Sequence, residues 1–253
     1  MGKKEPFCAR DDPVATSLMN IYSIKKWLMA YTWIFFDADN TLFDFNHSEQ
    51  EALKNALEDF GELFEDHYHP VYNTINRECW QAFEHGQLSK AQLRTRRFEL
   101  FFHAIGRHYD ADEFAGAYLE QLSQQCALIQ GAQNLLEKLH QTHALALVTN
   151  GLKEVQRPRL ARSGLAGLFK MVVVSDEIGH AKPDRAFFDY AFEAIGRPDH
   201  KTMLMVGDNL NADIRGGAEY GLDTCWYNPG KETSRAVKPT YEIAELEELH
   251  KLV

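Results

Sequence analysis

The sequence predicts an α/β fold, a parallel β-sheet with helices on both faces, interrupted after its first strand by an all-helical insertion. Short continuous apolar runs recur at 33–38, 144–148, 171–174, 203–206 and near 224–226, separated by amphipathic helical stretches. Uninterrupted apolar strands are what a sheet covered on both faces requires. The span from about 47 to 127 has helical periodicity and almost no strand signal. Four of the apolar runs also end on residues that carry chemistry, and such sheets bind ligands beyond the carboxyl ends of their strands.

The elements follow in order. Residues 33–38 read as a buried strand. In the helical span, Glu51 to Phe60, Val71 to Phe83, Ser89 to Ile105 and Asp112 to Cys126 form four helices, with Gly61, Pro70, Gly86 and Gly106 near the breaks. A helix at Ala132 to Gln141 leads into the strand Ala144 to Val148, and a helix follows through Leu160. The strand Met171 to Val174 precedes a helix from Asp184 to Ile195. Met203 to Val206, a helix from Ala212 to Tyr220, and a strand at Thr224 to Trp226 come next, and a helix over Ile243 to Leu252 closes the chain. Residues 29–46 and 128–253 are therefore expected to form the core and 47–127 the helical cap. Residues 1–28 are expected to be an extension, disordered or not native to the protein, with Met29 as the natural start; a short docked helix is the competing expectation.

Composition narrows the function classes. With 253 residues, the chain is long enough for one large α/β domain carrying an insertion. A net charge of −10 argues against a nucleic-acid polymer or an anionic membrane as partner, since both need clustered Lys and Arg. The four cysteines, Cys8, Cys79, Cys126 and Cys225, are scattered without C-x-x-C spacing, which suits reduced thiols in the cytoplasm. The eleven histidines show no metal-ligand register. No run reaches the roughly 18 apolar residues of a membrane span.

The sharpest signal is Trp33-Ile34-Phe35-Phe36-Asp37-Ala38-Asp39-Asn40-Thr41-Leu42, a buried strand ending on two carboxylates. An acid costs several kcal/mol to bury without compensation, so a cation and a ligand are expected beside it. The strand at 144–148 yields Thr149-Asn150-Gly151. Lys182-Pro183-Asp184 follows the 171–174 strand, and Gly207-Asp208 through Asp213 follows 203–206. Each alone reads as a turn; on four strand ends of one sheet they read as a site.

These residues resemble the haloacid dehalogenase superfamily of aspartate-dependent phosphohydrolases in all four motifs: D-x-D-x-T at Asp37 to Thr41, the hydroxyl of Thr149, Lys182, and G-D-x-x-x-x-D at Gly207 to Asp213. The resemblance runs from about residue 32 to the end and implies a Rossmann-like core with a C1-type cap. Thr149-Asn150-Gly151, the ending at Trp226-Tyr227-Asn228 and the cap are similar to the bacterial pyrimidine 5′-nucleotidase branch. The implied activity is Mg²⁺-dependent hydrolysis of a small phosphorylated metabolite, a nucleoside 5′-monophosphate first, with sugar phosphates or phosphoglycolate as alternative and a catalytically inactive binding protein as the remote one. By resemblance Asp37 is the nucleophile and Asp39 the acid and base. Thr149, Lys182 and the amides of Asn150 and Gly151 hold phosphate. Mg²⁺ is held by the carboxylates of Asp37 and Asp208 and the backbone carbonyl of Asp39, while Asp213 orients Lys182 or metal-bound water. The acid at 39 argues against dehalogenases, whose halide leaves without protonation, and the lack of membrane spans argues against ion pumps. A phosphomutase shares the first step.

Substrate choice is expected in the cap. Trp80 and Phe83 with Tyr72, or Phe98 with Phe101 and Phe102, offer stacking surfaces, though their spacing fits a cap interior better. Arg94, Arg96 and Arg97 read as a solvated helix face or as contacts to a ribose-phosphate. Two departures stand out. Asn40 occupies a turn position where many relatives have Gly. Pro158 falls inside an apparent helix, at a cost of about 3 kcal/mol, unless the helix starts near Arg157.

Overall fold

The strands β1 (Trp33–Phe36), β2 (Ala144–Thr149), β3 (Met171–Val174), β4 (Met203–Gly207), β5 (Asp223–Tyr227) and β6 (Tyr241–Ile243) form one parallel sheet in the order β3-β2-β1-β4-β5-β6. The structure is a computed structural model that describes residues 31–233 and 237–253. The expectations for residues 1–28 and Met29 therefore lie outside the described residues. β1 is central, with Phe36 opposite Leu147 of β2 and Val206 of β4. Its side chains alternate between two cores. Ile34 and Phe36 join Leu145, Leu147, Leu204 and Val206 under α5 (Ala132–Leu139, numbered after the four cap helices), whereas Phe35 joins Ala146, Val148, Met203 and Met205 under α8 (Arg185–Ala194). Both faces are covered, as the apolar runs predict.

The insertion consists of α1 (Phe45–Asp59), α2 (Tyr68–Glu84), α3 (Lys90–Ile105) and α4 (Ala111–Gln124). α1 starts six residues before the expected Glu51 because Asp44 caps it, its side chain accepting from the His47 amide at 3.0 Å. Ser89 and Gln92 form a reciprocal capping box at the start of α3. Leu53, Leu57, Tyr72, Phe98, Phe101, Phe114 and Tyr118 pack into the cap's own core, with Phe102, and this cluster continues into Leu152 and Val155 of the main body. The two linkers are tied: the Asp44 amide donates to Ala127 O at 3.0 Å and the Ile129 amide to Leu42 O at 2.9 Å.

Two expectations need correction. The closing helix over 243–252 is instead a three-residue edge strand, β6, followed by a 3₁₀ turn at Leu246–Lys251. So short a strand, with only Ile243 fully buried, leaves no alternation to read. Pro158 does lie inside its helix, α6 (Lys153–Arg162), and only the alternative start near Arg157 fails. The helix expected at Ala212 is a π-helix at Leu210–Arg215 that continues as α9 (Gly216–Tyr220). Between α6 and the π-helix lie the single turn α7 (Ser175–Ile178) and α8.

One polar cluster pins the cap. Glu62, between α1 and α2, accepts from Arg107 Nε at 2.7 Å and Nη2 at 3.0 Å, and from the hydroxyls of Tyr109 and Tyr68 at 2.9 and 3.1 Å. These donors, Arg107 foremost, lower its pKa from 4.5 to about 2. A carboxyl easier to ionise when folded stabilises the fold fully above its unfolded pKa and loses that contribution as pH falls toward the folded one. Melting temperature of the wild type should therefore drop more between pH 5 and pH 2 than that of Glu62→Gln; parallel curves would refute the cluster's role.

Candidate active site

Every residue named at the strand ends lies at one edge of the sheet, and most line a single cavity of about 560 Å³ between the core and the cap. Asp37 follows β1, and its amide extends the ladder to Val206 O at 2.9 Å. The chain then turns sharply, with Asn40 in the left-handed region at φ 59°, a conformation Asn tolerates better than most residues. That turn places the Asp39 carboxyl over α6.

Lys182 is the hub. Its Nζ donates to Asp37 Oδ1 at 2.6 Å, Asp213 Oδ1 at 2.7 Å and Val148 O at 2.7 Å, so all three ammonium protons are placed in a buried position. Burial works against its charge, but the carboxylates of Asp213 and Asp37 outweigh that and hold the pKa above the ordinary range. The Asn150 side chain clamps the lysine's backbone, accepting from its amide and donating to its carbonyl, both at 2.8 Å. Asn150 was expected to meet phosphate through its amide; its side chain has this second task. Thr149 Oγ1 accepts from the Gly151 amide at 3.1 Å, which leaves its own proton to donate.

Asp208 is fixed from two sides. The Thr41 hydroxyl accepts from its amide at 3.1 Å and donates to Oδ1 at 3.3 Å, and Trp226 Nε1 donates to its carbonyl at 2.9 Å. Asp213 is fully buried, with Oδ2 accepting from the Asn209 amide at 3.1 Å. Asn209, not Asp213, caps the helix that follows, accepting from the amides of Asn211 and Ala212. Asp213 lies within the π-helix, whose wide turn brings it to Lys182. A Cβ on Gly207 would sit 2.2 Å from Asp213 Oδ2, so only glycine lets this carboxylate tuck against the end of β4.

Carboxylate oxygens of Asp37, Asp208 and Asp213 lie within 4.8 Å of one another. Burial, partly offset by Lys182 and aggravated by Asp213 and Asp39, pushes the Asp37 carboxyl up to about 7. Asp208 is raised well above the carboxylate range by burial and by Asp37 and Asp213. Such crowding of hard oxygen donors fits a Mg²⁺ ion, which would reverse both shifts.

Sequence reasoning missed Gln156 and Arg159, which hold Asp39. Gln156 Nε2 donates to Asp39 Oδ2 and Arg159 Nη1 to Oδ1, each at 2.5 Å. A Cβ on Gly151 would stand 2.2 Å from Gln156 Nε2, so the glycine makes room for that side chain.

In the cap, Tyr72, Phe98, Phe101 and Phe102 are interior residues, while Trp80 lines the cavity with Phe45. The basic cluster divides. Arg94 and Arg96 are outward and paired with Glu154 and Glu99. Arg97 corrects the solvated-face expectation: it is buried between the rings of Phe98 and Tyr118, at 4.9 and 5.2 Å, and donates to Asn76 Oδ1 at 3.0 Å. Asn76 and Asn73 in turn donate to the buried Glu49, at 2.6 and 2.9 Å.

A family model of haloacid dehalogenase-like hydrolases matches residues 31–221. The chain belongs to this family. It is 34% identical over 226 residues to pyrimidine 5′-nucleotidase YjjG of Escherichia coli, covering 89% of this chain and 99% of that one. It is 35% identical over 223 residues to pyrimidine 5′-nucleotidase PynA of Streptococcus pneumoniae, covering 87% and 94%. HAD-hydrolase YfnB of Bacillus subtilis is 39% identical over 229 residues, covering 88% and 95%. The crystal structure of YfnB bound to magnesium superposes with a TM-score of 0.85 over 88% of this chain and 98% of that one, at 37% identity.

Replacing Lys182 alone leaves two buried carboxylates unpaired. Lys182→Met is expected to lose about 3–5 kcal/mol of stability in urea titrations without metal, and Lys182→Met/Asp213→Leu to lose less. Equal losses would show that the Asp213 contact carries little.

Proposed function

We propose that this protein is a Mg²⁺-dependent phosphatase of nucleoside 5′-monophosphates, acting through an aspartyl-phosphate on Asp37. The observation that carries the reading is the buried Lys182 bridging Asp37 and Asp213 beside Asp208, in a cavity lined by both core and cap residues. Asp37 and Asp208, with the Asp39 carbonyl, would hold Mg²⁺, which would neutralise charge on phosphate. Lys182 fixes Asp37 through Oδ1, presenting the carboxylate to phosphorus. An Asp37 oxygen bonds to phosphorus while the bond to the leaving oxygen breaks, and that oxygen takes its proton from Asp39. Water then attacks phosphorus and gives a proton back to Asp39, and the bond to Asp37 breaks. Thr149 and the amides of Asn150 and Gly151 donate to the phosphoryl oxygens.

YjjG and PynA, both named pyrimidine 5′-nucleotidases, support the nucleotide class, and the magnesium-bound YfnB structure supports the metal. The cavity supplies the rest. Trp80 and Phe45 offer flat apolar faces to a base, and Asn73 and Asn76 line the same wall. The free cysteines Cys79, Cys126 and Cys225 suit a reducing, cytoplasmic setting. Among the described residues no helix is long and apolar enough to cross a membrane.

Phosphate release with Mg²⁺ across nucleoside monophosphates, sugar phosphates and phosphoglycolate tests the reading. Nucleoside 5′-monophosphates should be turned over best, and Asp37→Asn should retain less than about one-thousandth of the activity. Activity confined to sugar phosphates would overturn the substrate class, and full activity of Asp37→Asn the mechanism. Asn73→Ala should lower kcat/KM for pyrimidine nucleotides about 10-fold or more while leaving ribose 5-phosphate unchanged. A parallel fall on both would remove Asn73 from base recognition.

A further inference from the structure

We propose that Gln156 and Arg159 are positioning residues for the acid–base group, with Arg159 anchoring one oxygen of Asp39 and Gln156 yielding the other to the reaction. The inference rests on the phosphatase reading given above.

Residues 156 and 159 stand three apart on α6 and so share one face of that helix. Both are buried, and each takes a different Asp39 oxygen. Asp39 itself stays partly exposed, its side chain at 25% of full accessibility, and lines the cavity. Arg159 is held from both linkers of the cap as well as by Asp39. Its Nε donates to Gln125 O at 2.9 Å, at the end of α4 where the chain leaves the cap, and its guanidinium lies over the Phe43 ring at 4.6 Å, where the chain enters it. Its Nη2 is buried without a hydrogen-bond partner, and so is Gln156 Oε1. Burying a guanidinium completely for one partly exposed carboxylate is a poor way to stabilise a fold. It is a good way to stop a side chain on a tight turn from wandering.

The two donors differ in strength. A guanidinium adds its own positive charge to the bond with a carboxylate oxygen, whereas a neutral amide adds none. Oδ1 is therefore the anchored oxygen and Oδ2 the one released for proton traffic. In the first step the proton on Oδ2 passes to the leaving oxygen as its bond to phosphorus breaks; in the second, water's proton returns to Oδ2.

The test exploits leaving groups. A nucleoside 5′-alkoxide needs a proton as it departs, whereas p-nitrophenolate leaves without one. Because kcat/KM reports steps through the first phosphoryl transfer, it isolates the acid's contribution. Arg159→Met should lower kcat/KM on a nucleoside monophosphate about 100-fold and on p-nitrophenyl phosphate only a few-fold, and Arg159→Lys should recover most of the loss. Gln156→Met should show the same selectivity more weakly, and it carries the test if Arg159→Met does not fold. Equal losses on both substrates, or none on either, would overturn the proposal. Asp39→Asn separates the two layers. If it lacks leaving-group selectivity, the acid assignment itself fails. If it has the selectivity and neither clamp variant does, only the positioning roles fail.

Discussion

The buried ammonium of Lys182 sets the terms for everything around it, because its three protons are shared among groups from three different parts of the sheet edge. Val148 O lies one residue before the end of β2, Asp37 follows β1, and Asp213 sits in the π-helix after β4. No one of these strands can shift register without stranding a charge in a dry environment, where an unpaired ion is costly. The sheet order, with β1 between β2 and β4, is what lets one side chain reach all three. The Asn150 clamp on the lysine's own backbone then removes the remaining freedom.

The local charge balance explains the chemistry the site is built for. Among the described residues Asp37, Asp39, Asp208 and Asp213 form ion pairs only with Lys182 and Arg159, and burial raises the cost of every uncompensated acid. A divalent ion would offset that deficit. Toward the cap the wall adds the amides of Asn73 and Asn76 and the rings of Trp80 and Phe45, set among Glu49, Arg77, Glu84 and Arg97.

Much of this was legible in the sequence, and the reasons it was legible also define where reading failed. Apolar runs of strand length fixed β1 to β5, and their ends carried Asp37, Thr149, Lys182 and Asp208 to one edge without any knowledge of side-chain positions. β6 escaped because three residues on an edge show no period. Arg159 escaped because Lys153 to Arg162 reads as a solvated, charged helix, and its partner is 120 residues away. A signal was present all the same: Leu152, Val155 and Arg159 stand at helical spacing on the buried stripe, so one arginine falls where an apolar residue belongs. Arg97 gave the same clue beside Leu93 and Phe101, and was masked by the outward Arg94 and Arg96.

The apolar cluster of the insertion does not close on itself, since Leu152 and Val155 from the opening of α6 complete it. A cap excised at its two linkers would leave that surface open to water, and the remaining body would lose the cover over the same two side chains. The insertion is thus not an autonomous module riding on a finished enzyme. Melting of the two parts is expected to be a single cooperative event, and transplanting this cap onto another sheet would demand a matching apolar seat at the start of the helix beneath it.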